Sequence, residues 1–248
     1  MRQVTPSAAV ILAPNPGPMT LDGTNTWVLR SPGHERSLVV DPGPLIESHL
    51  QAVAATEPAL IVLTHRHPDH SEGARRLHEL SGADVVSLDP AFTIGGNAIT
   101  TDGETVAAAG IVLTLIRTPG HSSDSISLHL GSDNAVLTGD TILGRGTTVV
   151  AHPDGVLADY LDSLRTLKEY GDATVLPGHG PELPSAGVVA QEYLEHREQR
   201  LAQVRHAVAC GATTARQVVE QVYADVDPVL WPAAEVSVRA QLDYLAHR

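Results

Sequence analysis

One cysteine, Cys210, stands among 248 residues, which rules out an intrachain disulfide and fits a reducing compartment. Aromatic residues make up only 3% of the chain, so a core has to be built from Val, Leu, Ile and Ala. At 42% hydrophobic residues there is enough apolar side chain for one sizeable α/β unit and a small appendage. No apolar run approaches the length of a membrane helix, and Met1-Arg2-Gln3-Val4-Thr5-Pro6 lacks the long apolar core of a secretion signal. A cytoplasmic location without membrane contact is therefore expected. A basic run is missing as well, and the formal net charge is -13. Affinity for phosphate backbones comes from clustered Lys and Arg, so strong non-specific binding to nucleic acid is not expected. Internal repeats and low-complexity segments are also absent.

What the chain does have is Thr64-His65-Arg66-His67-Pro68-Asp69-His70, directly after the apolar run Leu60-Ile61-Val62-Leu63. The run is short, continuous and apolar, as a strand buried on both faces would be. Side chains two apart on an extended segment point the same way, so His65 and His67 can grip one cation. Ala74, Leu77 and Leu80 follow at near-helical spacing, which puts Asp69 and His70 where strand gives way to helix, facing a second cation. Imidazole nitrogen and carboxylate oxygen are ligands that zinc and similar first-row metals accept. Three more strand candidates end in the same manner. Leu113 to Thr118 runs into Pro119-Gly120-His121, Ala135 to Thr138 into Gly139-Asp140, and Ala173 to Leu176 into Pro177-Gly178-His179-Gly180. Alone, each ending reads as an ordinary turn. As an ordered set, each with a glycine that lets the backbone approach closely, they read as a cage of ligands at strand ends.

In that order THxHxDH, TPGHS, TGD and PGHG resemble the metallo-β-lactamase superfamily, over roughly residues 8 to 185. The resemblance implies a four-layer αβ/βα sandwich of the α/β or α+β class, with a metal cleft at one end of its two sheets. It further implies one metal on His65, His67 and His121, a second on Asp69, His70 and His179, and Asp140 bridging both. Two zinc ions per chain, with manganese or iron as substitutes, would then generate a bridging hydroxide for hydrolysis of an ester, thioester or phosphodiester. Asp69 and Asp140 are the catalytic carboxylates on this reading, with Asp69 orienting the hydroxide. Asp41, in Val39-Val40-Asp41-Pro42-Gly43, resembles the superfamily's DxG turn and is expected to support a loop beneath the metals. Ser71, Ser122 and Ser123 read as turn or cap residues.

Several details narrow the branch. His67 stands where flavodiiron-type oxygen reductases carry Glu, and Cys210 lies downstream of every motif, unlike the ligand Cys of one class of zinc β-lactamases. Thr141 to Val149 lacks the glutathione-binding stretch of glyoxalase II, which argues against a hydroxyacylglutathione thioester. The insert that marks RNA-processing β-CASP nucleases is missing between Asp140 and His179. The words Asn15 to Trp27 and Gly139 to Thr148 look like the β-lactamase-like protein 2 group, whose members include metal hydrolases and an endoribonuclease acting on single-stranded RNA. Trp27 and Arg145 depart from that group's usual residues. Asn25, Trp27, Arg145, Thr147 and His152 are accordingly the expected substrate contacts, for a small molecule or single-stranded RNA, and Arg66 and Arg145 would lend the cleft positive charge. Asn15 to Thr26 equally fits a plain hairpin. His34, His49, His78, His129, His196, His206 and His247 are expected as surface or helix residues without a ligand role.

After His179 the pattern changes, dividing the chain into a catalytic domain over 1–186 and a helical appendage over 187–248. Gly187 to Cys210 predicts a long helix with Val188, Tyr193, Leu194, Leu201, Val204 and Val208 on an apolar stripe. Two shorter helices follow, Thr214 to Tyr223 capped by Thr213 and Ala233 to Ala246 after Pro232. The trio resembles the winged-helix appendage of the same subgroup. Arg197, Arg200, Arg205, Arg216, Arg239 and Arg248 are offset by Glu192, Glu195, Glu198, Glu220, Asp225, Asp227, Glu235 and Asp243, so packing or substrate gating is expected rather than DNA binding. Elemental analysis of purified protein should find about two zinc ions per chain, as two-metal hydrolysis requires. A single iron would indicate oxygen chemistry of the persulfide dioxygenase kind, and a stable metal-free protein a nucleic-acid-binding regulator.

Overall fold

A computed structural model of the chain describes residues 1–247; Arg248, counted above among the appendage charges, lies outside them. Strands β1 (Arg2–Gln3), β2 (Ala8–Leu12), β3 (Asn25–Leu29), β4 (Ser37–Val40), β5 (Pro58–Val62) and β6 (Asp84–Val86) form one sheet in that order. It is antiparallel from β1 to β4 and parallel from β4 to β6. Strands β7 (Thr105–Ala108), β8 (Ile111–Arg117), β9 (Ile126–Leu130), β10 (Ala135–Gly139) and β11 (Thr174–Pro177) form a second sheet in reverse order. There only β10 and β11 run parallel. Helices are α1 (Glu47–Ala54), α2 (Pro68–Ser71), α3 (Ala74–Ser81), α4 (Leu157–Lys168), α5 (Ala186–Ala209), α6 (Ala215–Val222) and α7 (Trp231–Ala246).

The strand period of two explains the layering. On β4, Leu38 and Val40 point between the sheets, meeting Leu113, Leu128 and Leu137, while Val39 points the other way onto Leu50 of α1 and Leu77 of α3. The second sheet repeats the device. Leu137 faces inward, and Val136 packs outward against Leu164 of α4 and Leu194 of α5. Both sheets are thus buried on both faces, which is why their strands carry continuous apolar runs. The result is the expected αβ/βα sandwich of four layers.

Helix α5 serves two bodies. Its first half, with Val189, Ala190, Tyr193 and Leu194, packs on the second sheet and α4, and its second half, with Val204 and Ala207, forms a separate small core with Val218, Val219 and Val238. A division at 186/187 therefore falls in the first turn of a helix that the catalytic sandwich also uses, so the two parts are joined by that helix. The expected stripe is corrected at its ends, where Val188 and Val208 are exposed. Arg197 is buried on that stripe instead. Thr214, rather than Thr213, caps α6, through a reciprocal pair in which its hydroxyl accepts from the Gln217 backbone and the Gln217 side chain accepts from the Thr214 backbone. On the appendage Arg216 pairs with Glu220 and Glu235, and Arg239 with Glu235, so these arginines are offset by carboxylates among the described residues. Thr214→Ala should lower the stability of the appendage by about 1 kcal/mol. Urea unfolding followed at Trp231 fluorescence checks this, with metal content unchanged.

Candidate metal centre

The loops leaving the ends of β5, β8, β10 and β11 meet at one end of the sandwich, where seven side chains converge. Ligand atoms of His65, His67 and His121 lie within 4.8 Å of one another, as do those of Asp69, His70 and His179 and those of His65, His70 and Asp140. Asp140 lies between the two histidine groups, with Oδ1 3.3 Å from His70 Nε2 and Oδ2 3.4 Å from His179 Nε2 and 3.8 Å from His121 Nε2. Asp69 Oδ2 is 3.1 Å from His179 Nε2. The turn from β5 into α2 supplies four of these groups within six residues, because Pro68 starts a helix straight after the extended His67.

Each buried imidazole is aimed from behind. His70 Nδ1 is 2.8 Å from Asp41 Oδ2, His121 Nδ1 donates to the Val149 carbonyl at 2.6 Å, and His179 Nδ1 donates to the Gly23 carbonyl at 3.1 Å. His65 Nδ1 lies 3.1 Å from Thr64 Oγ1, which in turn donates to Asp41 at 2.7 Å. These partners hold protons on the outer nitrogens and leave the inner ones as lone pairs. The inner atoms then face one another, with His70 Nε2 3.2 Å from His179 Nε2 and His65 Nε2 3.1 Å from His67 Nδ1. Asp140 Oδ1 is buried without a hydrogen bond. Lone pairs and carboxylates crowded together away from water repel unless a cation lies among them, so the donor set fits a divalent metal.

Asp41 reaches its place through a left-handed backbone, φ 54°, which Asp tolerates better than most residues. From there it serves His70 and also accepts from the Thr64 backbone at 2.8 Å. Two glycines of the motifs are needed for space. A Cβ on Gly178 would stand 2.6 Å from Asp140 Oδ1 and 2.7 Å from His70 Cε1, and one on Gly120, whose φ is 129°, would stand 2.3 Å from Tyr160 Cα.

A cleft of about 320 Å³ opens from His121 and Asp140 and is closed on its far side by the appendage. Apolar Met19, Leu21, Leu143, Val226 and Leu230 line much of it. Of the expected substrate contacts, Arg145 and Thr147 line this cleft, Arg145 with its guanidinium held by Asp22 at 2.5 Å. Asn25 and Trp27 are placed elsewhere. Both are buried, and their side chains donate to the Pro177 carbonyl, at 3.0 and 3.1 Å, with Asn25 also reaching the Gly180 carbonyl at 2.8 Å. They hold the His179 loop from behind. His152 is not among the cleft-lining residues, and Arg66 is paired with Asp154 at 2.5 Å outside the cleft. Asn15 to Thr26 is a turn closed by a Gly17–Leu21 bridge, with Thr24 bridged to His179. Among the histidines set aside, His49 is buried against Thr26 at 2.9 Å, and His196 lines the cleft.

Side chains from α4 and α5, unnoticed in the motifs, anchor the segment after Asp140. The Tyr193 hydroxyl accepts from the Leu143 backbone at 3.1 Å and lies 3.0 Å from the Gly146 carbonyl; Tyr160 donates to the Thr141 carbonyl at 2.8 Å, and Arg197 to that of Thr148. An arginine four residues after a tyrosine, inside an apolar stripe of a chain with so few aromatics, was the available signal.

The chain belongs to the metallo-β-lactamase superfamily, whose family model matches residues 19–179, and residues 214–248 match the β-lactamase associated winged helix domain. It is a metal-dependent hydrolase of that superfamily. It is 35% identical to a β-lactamase-like protein 2 homolog of Caenorhabditis elegans over 87% of this chain and 76% of the relative. With an atrochrysone carboxyl ACP thioesterase of Aspergillus fumigatus it shares 31% identity over 89% of this chain and 74% of that protein. In fold it is similar to a metallo-β-lactamase family protein of Thermus thermophilus, TM-score 0.82 at 20% identity, covering 98% of this chain and 94% of that one. A β-lactamase domain protein of Burkholderia ambifaria gives a TM-score of 0.84 at 22% identity, covering 99% and 88%.

The electrostatics divide the site. Burial, reinforced by His70, holds His65 well below its ordinary value, and burial likewise lowers His121. Burial opposes charge on His70 too, but Asp140 and Asp41 override it and push the imidazole well up. At His179 burial is overridden by Asp140 and then Asp69, raising it to about 9. Without metal, the His70 and His179 side is therefore protonated at neutral pH and the His65 and His121 side is not. Metal uptake at Asp69, His70 and His179 has to expel protons, so its affinity should fall as pH drops below about 9, by roughly tenfold per pH unit for each proton displaced. Calorimetric zinc titrations at pH 6 and pH 8, in buffers of different ionisation enthalpy, measure both the affinity and the protons released.

Proposed function

We propose that the protein is a dinuclear hydrolase of an ester or thioester with an apolar acyl portion. The observation that carries this reading is the cleft, which opens at His121 and Asp140 and is lined largely by apolar side chains. The two ligand groups, His65, His67 and His121 and Asp69, His70 and His179, with the Asp140 carboxylate between His121 and His179, support two metals, and the thioesterase named among the relatives supports the acyl class. Zinc or a similar cation, when bound, supplies activated water and stabilises charge on the attacked carbonyl.

The chain's own groups do the rest. Asp69 is the most exposed of the three carboxylates at the centre, its side chain 28% accessible against 11% for Asp140 and 1% for Asp41, so its Oδ1 is the oxygen available to accept a hydrogen bond from the attacking water. Asp140 keeps His121 and His179 at a fixed separation, and Asp41 holds the His70 ring through Nδ1. Tyr160, Tyr193 and Arg197 hold the segment after Asp140 against α4 and α5, so the cleft wall stays put while an acyl chain slides along it. Walls of Leu143, Val226 and Leu230 exclude water from that chain.

Single-stranded RNA is the competing substrate, favoured by the relatedness to β-lactamase-like protein 2 homologues. The zinc- or manganese-loaded protein is expected to hydrolyse S-hexanoyl-N-acetylcysteamine in preference to a single-stranded oligoribonucleotide, and Asp69→Asn to lower kcat by roughly 10²–10⁴. Turnover that survives chelation, or RNA cleavage with no thioester hydrolysis, overturns the proposal.

A further inference from the structure

The cleft has an unusual balance of charge. Among the residues lining it Asp140 is the one carboxylate, whereas Arg145, Arg197 and Arg200 all contribute, in a chain whose formal net charge is -13. Arg145 is neutralised by Asp22, at 2.5 and 2.9 Å. The other two have only neutral partners among the described residues. Arg197 is 4% exposed; it donates to the Thr148 carbonyl, lies 4.9 Å from the Tyr160 ring centroid, and keeps its Nε buried and unpaired. Arg200 donates to the Val222 carbonyl at 2.8 Å and to Gln203 at 3.0 Å, and lies 4.3 Å from the Tyr223 ring centroid. Directly before Arg197, and one helical turn before Arg200, α5 carries His196, whose Nδ1 is also buried without a partner. Burial, then Arg197 and Arg200, push the His196 imidazole below its ordinary value.

Burying a guanidinium without a counter-ion, as at Arg197, is costly, and Arg200 one turn on is half-buried. Here carbonyls and aromatic faces orient the two groups without cancelling their charge, so a fork of donors is held ready for an anion. Such an anion would also meet the free Nδ1 of His196, which can donate once protonated beside it. The same wall is apolar at Val226 and Leu230, so the ligand that fits has both an anionic group and a hydrocarbon part.

We propose that Arg197 and Arg200 form a subsite for an anionic group, a carboxylate or a phosphate ester, carried by the apolar part of the ligand in this cleft. That the ligand is the substrate rests on the hydrolase reading above; the anion site itself does not. The test uses metal-loaded protein and three probes of equal chain length, hexanoate, hexyl phosphate and 1-hexanol, with binding measured by calorimetry. Variants are Arg197→Met and Arg200→Gln, with Arg165→Gln as a control that removes an exposed charge on α4. Melting temperatures identify any variant that fails to fold; Arg197 is buried, and should Arg197→Met be lost, Arg200→Gln carries the result.

One or both anions are expected to bind at least about tenfold more tightly than 1-hexanol, as a charge-assisted hydrogen bond implies. Arg200→Gln should weaken the anion by about tenfold or more and leave 1-hexanol unchanged, with the control within about twofold of the parent; Arg197→Met, which also releases Thr148 of the cleft wall, should weaken the anion by about tenfold more than it weakens 1-hexanol. Whether hexanoate or hexyl phosphate binds better distinguishes a carboxylate from a phosphate ligand. Anion affinity that is the same in parent and folded variants overturns the subsite, as does equal affinity for 1-hexanol. Loss of anion binding in the variants, in a protein that hydrolyses no thioester, supports the subsite and removes the hydrolase reading. Thioester turnover with anion binding indifferent to both arginines does the reverse.

Discussion

Asp140 is a half-buried carboxylate, its Oδ1 fully enclosed, within 3.4 Å of two imidazoles and 3.8 Å of a third, and the rest of the molecule is arranged around keeping it there. An anion in that position is untenable in an apolar interior unless positive charge surrounds it, whether as protons on His70 and His179 or as metal. The histidines in turn cannot relax away, because each buried ring is tied through its outer nitrogen to a backbone carbonyl, a hydroxyl or Asp41. Those ties come from Gly23 just before β3, Asp41 just after β4, Thr64 just after β5 and Val149 in the segment after β10, so the geometry of the centre is the geometry of both sheets.

The second dependence is of the cleft on α5. This helix packs its first half into the catalytic sandwich and its second half into the appendage, and so joins the metal centre to the wall that faces it. Tyr193 and Arg197 on it reach back to the segment following Asp140. A helix shared in this way brings the appendage to the wall of the cleft, and the mixed charges of α6 and α7 pair among themselves. On the proposed reading, the appendage and the post-Asp140 segment would set specificity, while the candidate metal centre would supply the reactivity.

The candidate ligands were legible in the sequence because chemistry constrains them locally. Histidines two apart at a strand end, an Asp and His on the following helical turn, and His or Asp beside a glycine at three further strand ends form a pattern that needs no knowledge of packing. Asp41 was legible for a similar reason, as an acidic residue in a glycine turn after an apolar run. The strands themselves followed from apolar runs, and the long helix from its period, although the ends of its stripe were misplaced because a hydrophobic residue at helical spacing is free to face solvent.

What the sequence determined by itself was therefore the layered fold and its class as a metal-dependent hydrolase, together with the set of candidate ligands that the fold brings together. Which residues meet the ligand was decided only by tertiary structure. Asn25 and Trp27 sit in an uncommon stretch of sequence, yet their polar atoms turn to the Pro177 and Gly180 carbonyls, because the strand they occupy is buried on both sides. Arg197 and His196 carry no motif, yet they reach the cleft, because α5 crosses from one core to the other beside the segment after Asp140. Ligation depends on residue type at a fixed spacing along the chain, whereas a cleft wall depends on how far apart two packed bodies come to rest.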